Sequence, residues 1–389
     1  MSEVYSAAKA GTRVGPYGAY IAGIGWGLPQ RQVTNKNVLD GMLPFLDPPE
    51  SVNIAAGKPT DEKWVRKAAG VELRRWMDPG EKLYDYSALA CRRALVAAGC
   101  TIEDIDRIIV GTVTPEDHWP SEAAWVTHSF QDPKISGHDV TAACSSFMYA
   151  LEQGYMAIRS GISERVLVVG ADAMAGAANP RDRGSFMLFG DAAAAVVLAA
   201  DAPERDCFLY LNSGQDTAGI DLIGSMVVPE AVNYPDDAVA GGLRRVWMKG
   251  PQVYETVVPL GSRLINEALE KTGLKADDIA AFCMHQANDR ITTALMRAVG
   301  LRPERVIRNI NRFGNTTSAG VPLGLGEAFA RHLHDPQFPE LQPGDPVLMY
   351  AFGGGLTYVL AIVRWSEKHP RAKDVAWAKE QTEDLFRQG

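Results

Sequence analysis

Ala94-Leu95-Val96-Ala97-Ala98-Gly99, followed by Glu103-Asp104-Ile105 and then by Ile108-Ile109-Val110, returns later in the chain at one constant offset. The second copy is Ala268-Leu269-Glu270-Lys271-Thr272-Gly273, Asp277-Asp278-Ile279 and Phe282-Cys283-Met284. Each copy reads as a helix end, a glycine stop, an acidic turn and a buried strand. One element can recur by chance, but four in register imply a duplicated unit. The copies also finish alike. Arg165 to Gly170 and Gly190 to Leu198 in the first are matched by Val347 to Tyr350 and Gly353 to Leu360 in the second. Apolar, β-branched strands alternating with helices require sheets covered on both faces. The sequence therefore predicts an α/β protein of two similar halves, 19–202 and 203–365. The join falls near Asp201 to Asp206, with an N-terminal extension (1–18) and a charged C-terminal tail (366–389) outside them.

A chain of 389 residues that is 46% hydrophobic can bury a core larger than one ordinary domain needs, which agrees with two halves. The net charge of −8 and the lack of an extended basic run argue against nucleic acid as a partner. No stretch approaches the roughly 18 apolar residues of a membrane span, and Met1 to Gly18 lacks the pattern of a secretory signal, so a cytoplasmic location is expected. Cys91, Cys100, Cys144, Cys207 and Cys283 form no C-x-x-C pair and no His/Cys ligand spacing, so reduced thiols and no bound metal are expected. Ala19 to Pro29 reads as a strand ending in a turn. A dinucleotide fingerprint needs a helix directly after its glycines, whereas Pro29 and the polar stretch Gln30 to Asn35 interrupt here, so these are read as turn glycines. Gly41 to Thr60, rich in Pro and Gly, reads as a surface insertion, with helical pattern resuming near Asp61.

Four short stretches carry chemistry. In Val140-Thr141-Ala142-Ala143-Cys144-Ser145-Ser146 a cysteine sits between a strand and a helical run through Phe147, Leu151, Tyr155 and Ile158. A thiol at a helix N-terminus is expected to have its pKa lowered from about 8.5 toward neutrality. Met284-His285-Gln286-Ala287-Asn288 places an imidazole at the mouth of a buried strand, where it can act near neutral pH. Gly314-Asn315-Thr316 offers a neutral amide donor among small residues. Ala351-Phe352-Gly353-Gly354-Gly355 exposes backbone N–H groups suited to a developing oxyanion. Each has an ordinary structural alternative: a buried thiol, a core histidine, a helix cap, a glycine turn.

Together these stretches resemble the β-ketoacyl-acyl-carrier-protein synthase III family of the thiolase superfamily, from about Ala19 to Trp365. The resemblance implies a thiolase-like five-layer αβαβα fold, usually a homodimer. It implies a decarboxylative condensing enzyme that needs no cofactor and takes acyl-CoA and a malonyl thioester as substrates. Cys144 would accept the acyl group, and His285 and Asn315 would promote decarboxylation. The N–H groups of Cys144 and Gly354 would form the oxyanion hole. Contacts to substrate or CoA would come from Trp64, Trp119, Arg183, Phe189, Gly250, Asn288 and Phe352. Arg290, in a locally basic stretch with Arg297, Arg302, Arg305, Arg308 and Arg312, would dock an acyl carrier protein. Trp119 matches the position whose aromatic side chain reaches across the dimer to close the partner's acyl pocket.

The sequence also departs from the family. The tryptophan of the CoA-binding stretch is present as Trp64, but the arginine expected four positions on is Ala68, beside Arg66 and Lys67. Pro251 replaces a polar residue expected near the pantetheine arm. With the long extension, insertion and tail, these departures suggest a specialised fatty-acid or polyketide role. Three competing functions remain. They are acyl transfer to a hydroxyl, amine or thiol without decarboxylation, a condensation using a carboxylate base at Glu116, and a non-catalytic partner subunit of a ketosynthase heterodimer.

Overall fold

The computed structural model describes residues 16–42, 61–131, 134–178, 183–227, 244–335 and 338–379. Most of the N-terminal extension, most of the 41–60 insertion and the last part of the tail lie outside the described residues. The first half runs β1 (Gly18–Gly27), β2 (Gln32–Thr34), α1 (Asn35–Met42), α2 (Glu62–Ala69), β3 (Leu73–Arg75), α3 (Leu83–Ala98) and β4 (Arg107–Gly111). It continues α4 (Glu122–His128), β5 (Ser136–Val140), α5 (Ser146–Arg159), β6 (Arg165–Ala173), α6 (Arg183–Phe186) and β7 (Asp191–Asp201). The second half runs β8 (Phe208–Gln215), β9 (Ile223–Val227), β10 (Arg244–Met248), α7 (Gly250–Thr272), β11 (Ala281–Met284) and α8 (Asp289–Val299). It ends with α9 (Ile310–Phe313), α10 (Gly320–Ala330), β12 (Pro346–Gly353) and β13 (Thr357–Arg364).

The duplication holds down to single hydrogen bonds. Helix α3 stops at Gly99, left-handed at φ 64°, and α7 stops at Gly273, at φ 70°. Each is followed by a short 3₁₀ turn whose acid bonds back to the residue before it. Asp104 accepts the Thr101 N–H at 2.9 Å, and Asp278 accepts the Lys275 N–H at 2.8 Å. Strands β4 and β11 follow.

The first sheet has the order β1-β7-β6-β4-β5, with β4 parallel to both β5 and β6. The second has the order β8-β13-β12-β11, with β11 parallel to β12. The counterpart of β5 shrinks to a parallel bridge between Phe282 and Val306. Helices α5 and α10 lie between the sheets, where Phe147 and Leu151 share one core with Leu323, Leu325 and Phe329. The outer face of the first sheet is covered by α3 and α4, and that of the second by α7 and α8. The result is five layers, αβαβα, in the arrangement the resemblance implies.

The glycines of β1 are strand residues and not turn residues. A Cβ at Gly23, Gly25 or Gly27 would stand 2.2 to 2.3 Å from the carbonyl oxygen of Ala94, Ala90 or Tyr86, so these glycines let α3 lie directly on the strand. The described part of the tail folds back over the first half. Lys368 reaches Asp201 at 2.8 Å, and Trp377 stands edge-on to Trp26 with centroids 4.9 Å apart.

Candidate active site

The strand ends of both halves meet at a cavity of about 640 Å³, within the usual range of small-molecule sites. Cys144, His285 and Asn315 all line it. Val140 ends β5, a turn carries the chain through Ala143 at φ 51°, and α5 begins at Ser146. A β-carbon residue in this left-handed region is uncommon, and here it turns Cys144 out of the strand direction. The turn is held by a bond of its own and by one from β13. Ser146 Oγ accepts the Ala142 N–H at 2.8 Å, and Thr357 Oγ1 donates to the Ala142 carbonyl at 2.9 Å.

The thiol is not activated in the way its place before a helix predicts. Burial, reinforced by the negative charge of Asp172, pushes Cys144 up to about 12. The geometry explains the difference. The N–H groups of Ser145 and Ser146 are already spent on the carbonyls of Ala142 and Ala143, at 3.2 and 3.1 Å, and the mainly apolar lining disfavours the charged form. In this state Cys144 is a neutral thiol at pH 7.

His285 leaves β11 with its N–H bonded to the Tyr350 carbonyl at 2.8 Å. Its ring packs edge-on against Phe352, centroids 5.3 Å apart, and is 1% exposed. Burial lowers its pKa to about 4, against a weaker opposing pull from the Thr317 backbone, so the imidazole is neutral. Asn315 is clamped from both sides: its N–H donates to the Leu188 carbonyl at 2.8 Å, and its carbonyl accepts from Gly190 at 3.1 Å. Its carboxamide oxygen accepts the Thr317 N–H at 2.9 Å, which leaves the NH₂ as the group it can offer. The cavity thus joins a thiol to two uncharged hydrogen-bond donors.

The other candidates divide. Trp64, Gly250, Asn288, Phe352 and Arg290 line the same cavity. Asn288 caps α8 through its side-chain oxygen and donates its amide to the Ala68 carbonyl at 3.0 Å, which fixes α2 against the His285 loop. Phe189 is not on the wall. It is buried behind Asn315, to which it is bridged, and Met187 and Leu188 take its place. Of the run Gly353-Gly354-Gly355, it is Gly353, one residue before the expected Gly354, that lines the cavity. Trp119 stands 86% exposed, away from this chain's cavity. Arg183 opens α6, but its side chain lies outside the described residues.

Glu116 pairs with Lys82 and does not line the cavity, which removes the only carboxylate base proposed from sequence. The basic stretch is narrower than its composition suggests, because Arg302, Arg308 and Arg312 are paired with Asp277, Asp289 and Glu327. Arg290 is exposed at the cavity, over the Tyr254 ring at 5.7 Å. Sequence reading missed the apolar wall of Ile223, Met248 and Leu356, because residues from distant strands meet only after folding. It also missed Asp172, whose only signal in the sequence is an acid set in a largely apolar strand. Among the described residues no helix is long and apolar enough to cross a membrane, and the cysteines are free thiols.

Residues 138–217, which include Cys144, match the family profile "3-oxoacyl-[acyl-carrier-protein] synthase III". Residues 269–365, which include His285 and Asn315, match that family's C-terminal profile. The chain is 36% identical over 355 residues to β-ketoacyl-[acyl-carrier-protein] synthase III 3 of Streptomyces coelicolor, covering 90% of this chain and 98% of that one. It is 32% identical over 345 residues to β-ketoacyl-[acyl-carrier-protein] synthase III of Symbiobacterium thermophilum, covering 89% and 97%. Among solved structures, the priming β-ketosynthase of the R1128 polyketide pathway superposes with a TM-score of 0.76 at 30% identity, covering 92% of this chain and all of that one. The 3-oxoacyl-[acyl-carrier-protein] synthase III of Aquifex aeolicus gives 0.75 at 29%, covering 90% and 100%. Coverage at this identity spans both halves and every motif, and the chain belongs to the β-ketoacyl-acyl-carrier-protein synthase III family of condensing enzymes, in the thiolase superfamily.

Proposed function

We propose that the chain loads an acyl group onto Cys144 and condenses it with a malonyl thioester. The observation that carries this reading is the pairing of one thiol with two neutral donors, His285 and Asn315, on one cavity. In the first half-reaction Cys144 sulfur attacks the acyl thioester carbonyl. The acyl–Cys144 bond forms, and the departing thiolate of CoA takes the thiol proton. In the second, the malonyl thioester oxygen accepts hydrogen bonds from His285 and the Asn315 NH₂. Loss of CO₂ leaves an enolate that these donors stabilise without a metal. Its carbon attacks the acyl carbonyl, the bond to Cys144 breaks, and the sulfur regains a proton. A carboxylate in place of Asn315 would repel both the malonyl carboxylate and the enolate, so the amide favours condensation over simple acyl transfer.

The acyl donor is acyl-CoA, and the extender is carried by an acyl carrier protein that docks at Arg290. The N–H groups of Cys144 and Gly354 serve as the oxyanion hole. The working unit is a homodimer in which Trp119 closes the partner's pocket, and the products enter a specialised fatty-acid or polyketide pathway. The test is to incubate the purified protein with acyl-CoA, follow Cys144 by intact mass, then add malonyl thioester and measure CO₂ and 3-oxoacyl product. Cys144→Ala should lose the acyl adduct yet retain some decarboxylation, whereas Asn315→Ala should lose condensation. Transfer of the acyl group to a hydroxyl or amine acceptor without CO₂ would replace this reading with acyl transfer.

A further inference from the structure

Behind the cavity lies a carboxylate that the mechanism above does not use. Asp172, in β6, is fully buried. Its Oδ1 accepts from Thr112 Oγ1 at 3.1 Å, the Val113 N–H at 2.7 Å, the Thr114 N–H at 3.1 Å and Thr114 Oγ1 at 3.0 Å. Its Oδ2 accepts from Thr317 Oγ1 and from the Ser318 N–H, the latter at 2.9 Å. One carboxylate of the first half therefore grips the loop of the second half that carries Asn315.

We infer that Asp172 is a positioning residue for condensation, acting through Thr317 on Asn315. Thr317 sits at φ 47°, a left-handed conformation disfavoured for a β-branched residue. In that conformation its N–H points back to the Asn315 carboxamide oxygen at 2.9 Å. The two bonds from Asp172, to the Thr317 hydroxyl and the next N–H, hold a backbone that would otherwise relax. Released, Thr317 would withdraw its N–H, the Asn315 amide could rotate, and its NH₂ would no longer be fixed toward the cavity. A buried acid with donors on both oxygens is well suited to such a clamp, because charge-assisted bonds are stronger than neutral ones.

The inference rests on Asn315 acting in condensation, so its test carries Asn315→Ala beside the clamp variants. Thr317→Val keeps the side chain's shape and removes only the hydroxyl, Thr317→Ser keeps the hydroxyl, and Asp172→Asn removes the charge. Acyl transfer to Cys144 and 3-oxoacyl formation are measured separately. Thr317→Val and Asp172→Asn should lower kcat of condensation by about 10- to 100-fold, the range set by a bond to a charged group. KM for the malonyl thioester should stay within about threefold in both, Cys144 acylation should stay within about threefold in Thr317→Val, and Thr317→Ser should restore condensation to within about threefold. Should Asp172→Asn fail to fold, the Thr317 pair decides. Parallel loss of both half-reactions in Thr317→Val, or wild-type condensation by it while Asn315→Ala is inactive, overturns the clamp alone. Wild-type condensation by Asn315→Ala overturns the functional reading and the clamp with it.

Discussion

Gly353 presses on the nucleophile from the other half of the molecule: a Cβ added to it would stand 2.6 Å from the Cys144 backbone nitrogen and 2.8 Å from Ala143 Cβ. The end of β12 and the turn before α5 are thus built to one tolerance, so the position of Cys144 depends on a residue some two hundred positions away.

Gly353→Ala is expected to push the Cys144 turn out of place. If the Cys144 N–H serves the oxyanion hole, loss of that donor should slow acylation by about 10²- to 10³-fold. Intact-mass kinetics of the acyl adduct would measure it, and acylation near the wild-type rate would mean that the turn yields without consequence.

Titration of the two central groups runs in opposite directions. With Cys144 near 12, thiolate grows as pH rises. Alkylation of Cys144 by iodoacetamide in the free protein should climb about tenfold per unit from pH 7 to 10, without a plateau. A plateau near pH 8 would show an activated thiol.

His285 is held near 4, below the ordinary histidine value of about 6.5, and burial likewise lowers His369. Between these values the unfolded chain binds a proton that the folded chain refuses. The stability present above pH 6.5 is therefore lost as pH falls toward 4, by up to about 1.4 kcal/mol per unit for each group. Urea midpoints for wild type and His285→Gln across that window should show a shallower slope in the variant, and identical slopes would place the titration elsewhere.

Arg290, exposed at the cavity and without an acidic partner among its described contacts, is the residue on which carrier docking is proposed. Arg290→Glu should raise KM for carrier-bound malonyl substrate by about tenfold and weaken its salt dependence, with acylation by acyl-CoA little changed. Equal loss in both half-reactions would indicate damage to α8 instead.

Trp119, whose indole is 86% exposed, is the residue on which closure of a second copy's pocket is proposed. Trp119→Gly should weaken self-association and shift acylation toward longer primers, since each added methylene is worth about 0.8 kcal/mol when buried. Sedimentation together with acylation rates across C2 to C12 acyl-CoAs would check both. A dimer with an unchanged chain-length profile would assign the pocket wall to Met187, Leu188 and Met248.

Local pattern was enough to read the duplication, the strand-to-helix turn at Cys144, the strand before His285 and the loop of Asn315. Each depends on periodicity, caps and glycine stops that can be followed along the chain, the duplication on their recurrence. What only the tertiary structure decided depends on contacts between segments far apart. The β1 glycines read as turn residues because nothing local announces that α3 lies on them. Helix position alone suggested an activated thiol, yet the bonds of its own turn, the apolar walls and Asp172 set the opposite direction. Three arginines counted as a docking patch were already paired across elements. Asp172 went unread, because its grip on Thr317 exists only once the two halves close on each other. Composition and spacing encode secondary structure and chemistry type. Burial, partner choice and the aim of a side chain are properties of the packed assembly, because desolvation and hydrogen bonding depend on neighbours that sequence order does not reveal.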